Sequence, residues 1–234
     1  MTHGSTEEVA ARFAQLIDPW GEVRPEDRWM PEGFKHTTEA QLHRASRLLP
    51  RAVRASLTSW WLAAPSARAT TPNWDIASTC LVGNQEGLLL IEAKAHDEEL
   101  NKEEAGKKLS SDASDGSRQN HEQIGRAIQE ANLGLSKAIP DWNLSRDSHY
   151  QMSNRFAWAW KLTELGVPVI LVYLGFLNAG EMSDQGTPFA TSADWETLVR
   201  SQSEPLFPES VWNREWKLNG QSLIPLIRSV NCPL

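Results

Sequence analysis

Between Asn73 and His96 the chain reads Asn-Trp-Asp-Ile-Ala-Ser-Thr-Cys-Leu-Val-Gly, a turn, then Leu-Leu-Leu-Ile-Glu-Ala-Lys-Ala-His. No other stretch constrains the fold as much. Two short runs rich in apolar and β-branched residues flank the turn formers Gly83-Asn84-Gln85-Glu86-Gly87, which predicts a β-hairpin. Side chains alternate between the faces of a strand. Leu88, Leu90, Glu92 and Lys94 therefore share one face, and Leu89, Ile91, Ala93 and Ala95 the other. An acid and a base project side by side from a strand that is otherwise core. Asp75, at the start of the first strand, can lie across the hairpin from them.

Buried ionised groups are costly unless they are paired or bind a metal. Asp75 and Glu92 supply hard oxygen donors, which suit Mg²⁺ or Mn²⁺. Lys94 is a poor metal ligand and fits better beside an attacking water or a phosphate oxygen. Two carboxylates, a metal and a lysine suit phosphodiester hydrolysis. The competing account is a structural Asp75 at a turn and a solvated Glu92–Lys94 pair, and such surface pairs contribute little.

Asp75, followed 17 residues later by Glu92-Ala93-Lys94 at the end of an apolar strand, resembles the D…(D/E)xK signature of the PD-(D/E)xK phosphodiesterase superfamily. That superfamily includes the restriction endonucleases, and the wider context resembles uncharacterised bacterial members. The usual Pro-Asp dipeptide is absent, since Asn73 and Trp74 separate Pro72 from Asp75. The resemblance implies a restriction-endonuclease-like αβββαβ core within an α/β (α+β) fold, a mixed sheet flanked by helices. It implies that Asp75, Glu92 and the backbone carbonyl of Ala93 hold Mg²⁺ or Mn²⁺, and that Lys94 orients or activates water. In the superfamily a glutamate on the first core helix often helps hold a second metal, a role that would fall to Glu39. The implied activity is a metal-dependent endonuclease or other nuclease with DNA as partner.

Length and charge bound the remaining possibilities. At 234 residues the chain suits a single domain spanning 1–234. The nuclease-like core would cover about 38–178, with a helical extension at 1–37 and a C-terminal extension at 179–234. A net charge of −7 argues against a generally basic nucleic-acid coat but allows a local basic groove. Cys80 and Cys232 are too few for a disulfide scaffold, and Cys80 reads as a buried thiol. The N-terminus lacks a signal-peptide pattern. The longest clean apolar run, Val167 to Leu177, is too short to cross a bilayer. A reducing cytoplasm and no membrane partner are the expectation. The eleven tryptophans read as core and rim packing, with a sugar- or base-stacking surface as the minority reading.

In chain order, Ser5 to Ile17 predicts a capped helix with Val9, Phe13 and Ile17 on one face. A Pro/Gly- and Trp-containing connector follows. Thr38-x-x-Gln41 has capping-box form and predicts a second helix, divided or kinked at Pro50. Between Lys35 and Arg68 the only acid is Glu39 against six cations. Arg44, Arg47, Arg51 and Arg54 fall at spacings of 3, 4 and 3, one helical face and a phosphate track. A solvated face, or pairing with the acidic 97–104 segment, is the equal alternative. His96 continues the Glu92–Lys94 face and reads as a strand-end residue without catalytic work. Asp97 to Gln119 reads as a mobile polar loop beside the site, which either orders on substrate or is disordered. A third helix spans Asn120 to Ala138, with Asn120 and Gln123 as supporting polar residues or a simple capping and surface pair.

Tyr150 to Leu165 predicts a fourth helix on which Gln151, Asn154, Arg155 and Trp158 share a face. Gln151, Asn154 and Arg155 either reach the carboxylates or a substrate phosphate, or tie helix to sheet. Val167 to Leu177 predicts a strand buried on both faces. The tail holds a short helix near Asp194–Ser201 and an apolar Leu223–Val230, which either completes the sheet or makes a homodimer contact. Three rivals to a nuclease stand: a catalytically inactive binding module of the same fold, an effector gated by a regulatory partner, and a metal-independent glycosidase using Asp75 and Glu92.

Overall fold

The computed structural model describes residues 1–34, 36–66, 69–101 and 104–232. Its elements, in chain order, are α1 (Thr6–Ile17), β1 (Trp29–Met30), β2 (Ala40–Gln41), α2 (Arg51–Trp61), β3 (Asn73–Trp74), β4 (Ile76–Val82) and β5 (Gln85–Lys94). There follow α3 (Asp97–Asn101), α4 (Asp115–Leu135), α5 (Tyr150–Glu164), β6 (Val169–Leu177), α6 (Ser192–Ser203), β7 (Trp216–Leu218) and β8 (Gln221–Asn231). The fold is mixed α/β. A six-stranded sheet runs in the order β1-β4-β5-β6-β8-β7, and β2 and β3 form a separate ribbon. β4 pairs antiparallel with β1 and β5, whereas β5, β6 and β8 are mutually parallel. Parallel neighbours need crossovers. α4 and α5 supply the one between β5 and β6, and α6 lies in the one between β6 and β8.

Alternation along the central strands feeds two cores. Leu88 and Leu90 of β5 and Val169, Leu171 and Tyr173 of β6 face one, together with α2, α4 and α5. Leu89 and Ile91 with Ile170, Val172 and Leu174 face the other, which α1 closes through Val9, Phe13 and Ile17. α1 forms as its sequence predicts. The Glu8 amide donates to the Ser5 hydroxyl at 3.3 Å and the Ser5 amide donates back to the Glu8 carboxylate at 2.8 Å. Both are otherwise orphaned helix-end donors.

The hairpin turn is shorter than the sequence suggests. Val82 pairs with Gln85, which leaves only Gly83 and Asn84 in the turn. Gly83 takes φ +61°, and Asn84 is not in the positive-φ region, the pattern of a type II′ turn. Gly87 belongs to β5 instead. A Cβ there would sit 2.6 Å from the Pro168 carbonyl oxygen, so Gly87 serves a close strand approach.

One helix expectation and one loop expectation are corrected. Residues 38–49 are not helical: Ala40 and Gln41 pair with Trp74 and Asn73, and consecutive turns fold 42–49 through bonds such as Leu48 N to Ala45 O at 3.0 Å. Leu42, Ala45, Leu48 and Leu49 are all buried by those turns. Leu49 precedes Pro50, which disfavours helical geometry there, and α2 starts only after Pro50. The segment expected to be a mobile polar loop contains α3 and the first turn of α4. Ser114 caps α4 by accepting from the Ser117 amide at 3.3 Å. Lys35 and Arg68 of the basic window, and Lys102 and Glu103 of the polar segment, lie outside the described residues. No helix among the described residues is long and apolar enough to cross a membrane.

Candidate functional site

The site is built where the β4–β5 ladder ends. Ile76 pairs with Ile91, so the next residues along, Asp75 and Glu92, face each other at the mouth of the hairpin. Asp75 occupies a bend between β3 and β4. Its Oδ2 accepts from the Ala93 amide at 2.7 Å, which fixes the carboxylate against β5. Glu92 and Lys94 continue the face of Leu88 and Leu90, beneath α5, and are 0 % and 7 % exposed. The Lys94 Nζ donates to Glu92 Oε1 at 2.6 Å.

α5 completes the cluster. Gln151 and Arg155 are one helical turn apart and both reach Glu92. The Gln151 amide donates to Oε1, and Arg155 donates to Oε2 through Nε at 2.6 Å, with Nη2 also at 2.6 Å. Arg155 Nη1 donates to Asn154 Oδ1 at 2.8 Å. The guanidinium lies over the Trp74 ring, 4.7 Å from its centroid, a favourable cation–π position. Trp158, the last member of the α5 stripe, packs instead into a tryptophan cluster with Trp60 and Trp61. Trp74 is the residue that reading the sequence missed. The available signal was an aromatic next to Asp75 in a chain with a buried arginine to stack.

The charges offset one another in pairs. Burial favours the neutral form of Glu92, but Arg155 and Lys94 outweigh it and hold the carboxyl below its ordinary range. Burial likewise opposes the charge of Arg155, and Glu92 restores it. Asp75 goes the other way: burial first, then the Glu92 charge, push it up to about 6. The two carboxyls thus differ in proton affinity, as coupled acids in unlike environments do. Tyr150, at the start of α5, is held neutral by burial, with the Lys107 ammonium 4.9 Å from its ring centroid.

Other site residues foreseen from the sequence do not converge here. Glu39 is exposed and sits in irregular chain just before β2, not on a helix. Because Ala40 pairs with Trp74, Glu39 lies one residue beyond that ladder, on the Asp75 side. The arginines do not form one helical stripe, because the segment holding two of them is turns. Arg44 and Arg47 are in those turns, and Arg47 pairs with Glu32. Arg51 and Arg54 are on α2, where Arg54 Nε donates to the Leu49 carbonyl at 3.2 Å. Asn120 and Gln123 serve packing. Asn120 bonds both the amide and the carbonyl of Ala64, at 2.7 and 3.0 Å, and Gln123 Nε2 donates to the Trp60 carbonyl at 2.7 Å. They tie α4 to the end of α2. His96 is buried, with Nε2 3.8 Å from Glu99 Oε2.

Asp75, Glu92 and the Ala93 carbonyl have the donor chemistry of a hard-cation site. Both Glu92 oxygens, however, are taken by protein donors. Among the described residues no group of three or more acidic, histidine or cysteine side chains could hold a metal ion. A divalent ion would have to compete with Lys94, Arg155 and Gln151 for Glu92. Compared with family models, curated proteins and solved structures, the chain has no match.

Proposed function

We propose that this chain is a Mg²⁺- or Mn²⁺-dependent nuclease that hydrolyses phosphodiester bonds in DNA. The observation that carries the reading is the meeting of Asp75, Glu92 and Lys94 at one hairpin end, with Arg155 and Gln151 closing over them. The topology supports it. α1, then the antiparallel set β1-β4-β5, then helices, then the parallel β6 follow the order of an αβββαβ core of the restriction-endonuclease-like kind. On this reading α1 is the first core helix, and β2, α2 and β3 are an insertion.

Asp75, Glu92 and the Ala93 carbonyl would hold the metal, which supplies Lewis-acid charge and lowers the pKa of a bound water. Lys94, close to the same oxygens, would orient an attacking water and stabilise negative charge on the phosphate. Arg155 is a fork suited to a phosphate oxygen pair. In the free protein that fork grips Glu92, so substrate and carboxylate compete for one guanidinium. The same grip favours a second reading, in which cleavage waits on a partner or substrate that draws Arg155 away.

Plasmid nicking in Mg²⁺ and Mn²⁺ tests the proposal. Wild type should nick, and Asp75→Ala, Glu92→Ala and Lys94→Ala should each lose at least about a hundredfold in rate, the scale of removing one electrostatic or acid–base group. Nicking that persists in all three folded variants would sink it.

A further inference from the structure

On the opposite face of the sheet from Glu92, a cavity of about 660 Å³ opens between α1 and the carboxyl ends of β6 and β8. Its volume is within the roughly 300–1,000 Å³ of small-molecule sites. In open α/β sheets ligands collect outside the carboxyl ends of parallel strands. Leu16, Phe176 and Val230 give the cavity an apolar wall, and Arg12 and Arg228 supply its charge.

Both arginines are anchored by neutral acceptors. Arg228 Nε donates to the Leu16 carbonyl at 3.0 Å, and its Nη1 donates to Asn213 Oδ1 and to the Ile227 carbonyl, each at 3.0 Å. Arg12 donates through Nε to the Glu8 carbonyl at 3.1 Å and through Nη2 to the His3 carbonyl. Neither has a carboxylate within 4.0 Å among the described residues. Of the acids near the cavity, Glu196 pairs with Arg200 at 2.5 Å, Glu8 accepts from the Ser5 amide at 2.8 Å, and Glu181 acts on Cys232. Arg228 Nη2 and Arg12 Nη1 make no hydrogen bond to a described residue. Glu196 is near enough to Arg228 to favour its charge, but among the described residues neither arginine is in a close ion pair, and the backbone holds both at one cavity.

We infer that this cavity is a binding site for a small organic oxyanion, a phosphate monoester or carboxylate on an apolar or aromatic body, gripped by Arg12 and Arg228. The two forks suit the oxygens of such a headgroup, and the Leu16–Phe176–Val230 wall takes its body.

Calorimetric titration at low salt with phenyl phosphate, benzoate and inorganic phosphate tests the site. The expected result is saturable one-to-one binding of phenyl phosphate or benzoate, with inorganic phosphate weaker for want of an apolar body. Arg12→Gln and Arg228→Gln should each weaken binding about tenfold or more, the loss of a charge-assisted contact, while Lys137→Gln, an exposed cation just beyond α4 on the other side of the sheet, should leave it unchanged. Arg12, whose hydrogen bonds are exposed, carries the test if Arg228→Gln does not fold. Absence of saturable binding by both aromatic anions, binding indifferent to Arg12→Gln, or binding weakened equally by Lys137→Gln would each overturn the assignment.

Discussion

Glu92 is the residue on which the candidate site turns. Its carboxylate is fully buried and held by Lys94, Gln151 and Arg155. Removing one partner of such a pair leaves an uncompensated charge and costs about 3–5 kcal/mol. Arg155→Met should therefore lower stability by that order in urea denaturation, and Glu92→Gln in the same chain should recover much of it. Equal losses that simply add would show that the pair is not coupled. Asp75 gives a pH signature of opposite sign. Its folded pKa, about 6, is above the ordinary 3.8, so the folded state binds the proton more tightly than the unfolded chain. Its contribution is therefore a penalty, fully present above about pH 6 and relieved as pH falls toward 4. Asp75→Asn should stabilise the fold at pH 7 by no more than about 3 kcal/mol, and the gain should vanish near pH 4. An unchanged difference across that window would contradict the assignment. Both acids and Lys94 were legible in the sequence because strand alternation has a period of two. Trp74 was not, because its value depends on an arginine 81 residues further along the chain.

At the level of elements, the helix that carries Gln151 and Arg155 is itself positioned by close packing. Gly134 of α4 meets α5 at Trp160, and a Cβ at 134 would overlap the indole ring. Gly134→Ala gains about 1 kcal/mol in helix propensity but overpacks a rigid ring at a typical cost of about 1–3 kcal/mol. Net destabilisation is expected in denaturant titrations, with less nicking as α5 shifts; a more stable variant would show that the contact gives way freely. α5 and β6 were readable from local pattern, because a polar stripe at helical spacing and an unbroken apolar run are each distinctive. The segment at 38–49 was misread for a physical reason. Leu42, Leu48 and Leu49 satisfy helical spacing, but they are equally well buried by turns, and the pairing of Ala40 with Trp74 is not a local property. Likewise Gly87 resembles a turn former until Pro168 is brought beside it.

For the molecule as a whole, the sheet draws on both ends of the chain. β1 lies before residue 38 and β7 and β8 after residue 178, and β8 pairs along the full length of β6. A fragment spanning 38–178 would lose α1 from one core and leave β6 as an apolar edge, so it should fail to give a cooperative unfolding transition; cooperative folding of that fragment would contradict this account of the core. Lys94 and Arg155 are both paired with Glu92 in the free protein, so a divalent ion has a central part in the proposed reaction. Calorimetric titration of Mg²⁺ and Mn²⁺ into wild type, Asp75→Ala and Glu92→Ala tests that claim most directly. Millimolar or tighter binding is expected in wild type, lost in both variants and strengthened in Arg155→Met, which frees one Glu92 oxygen. No metal binding by any of these folded proteins, or binding indifferent to Asp75 and Glu92, would contradict it.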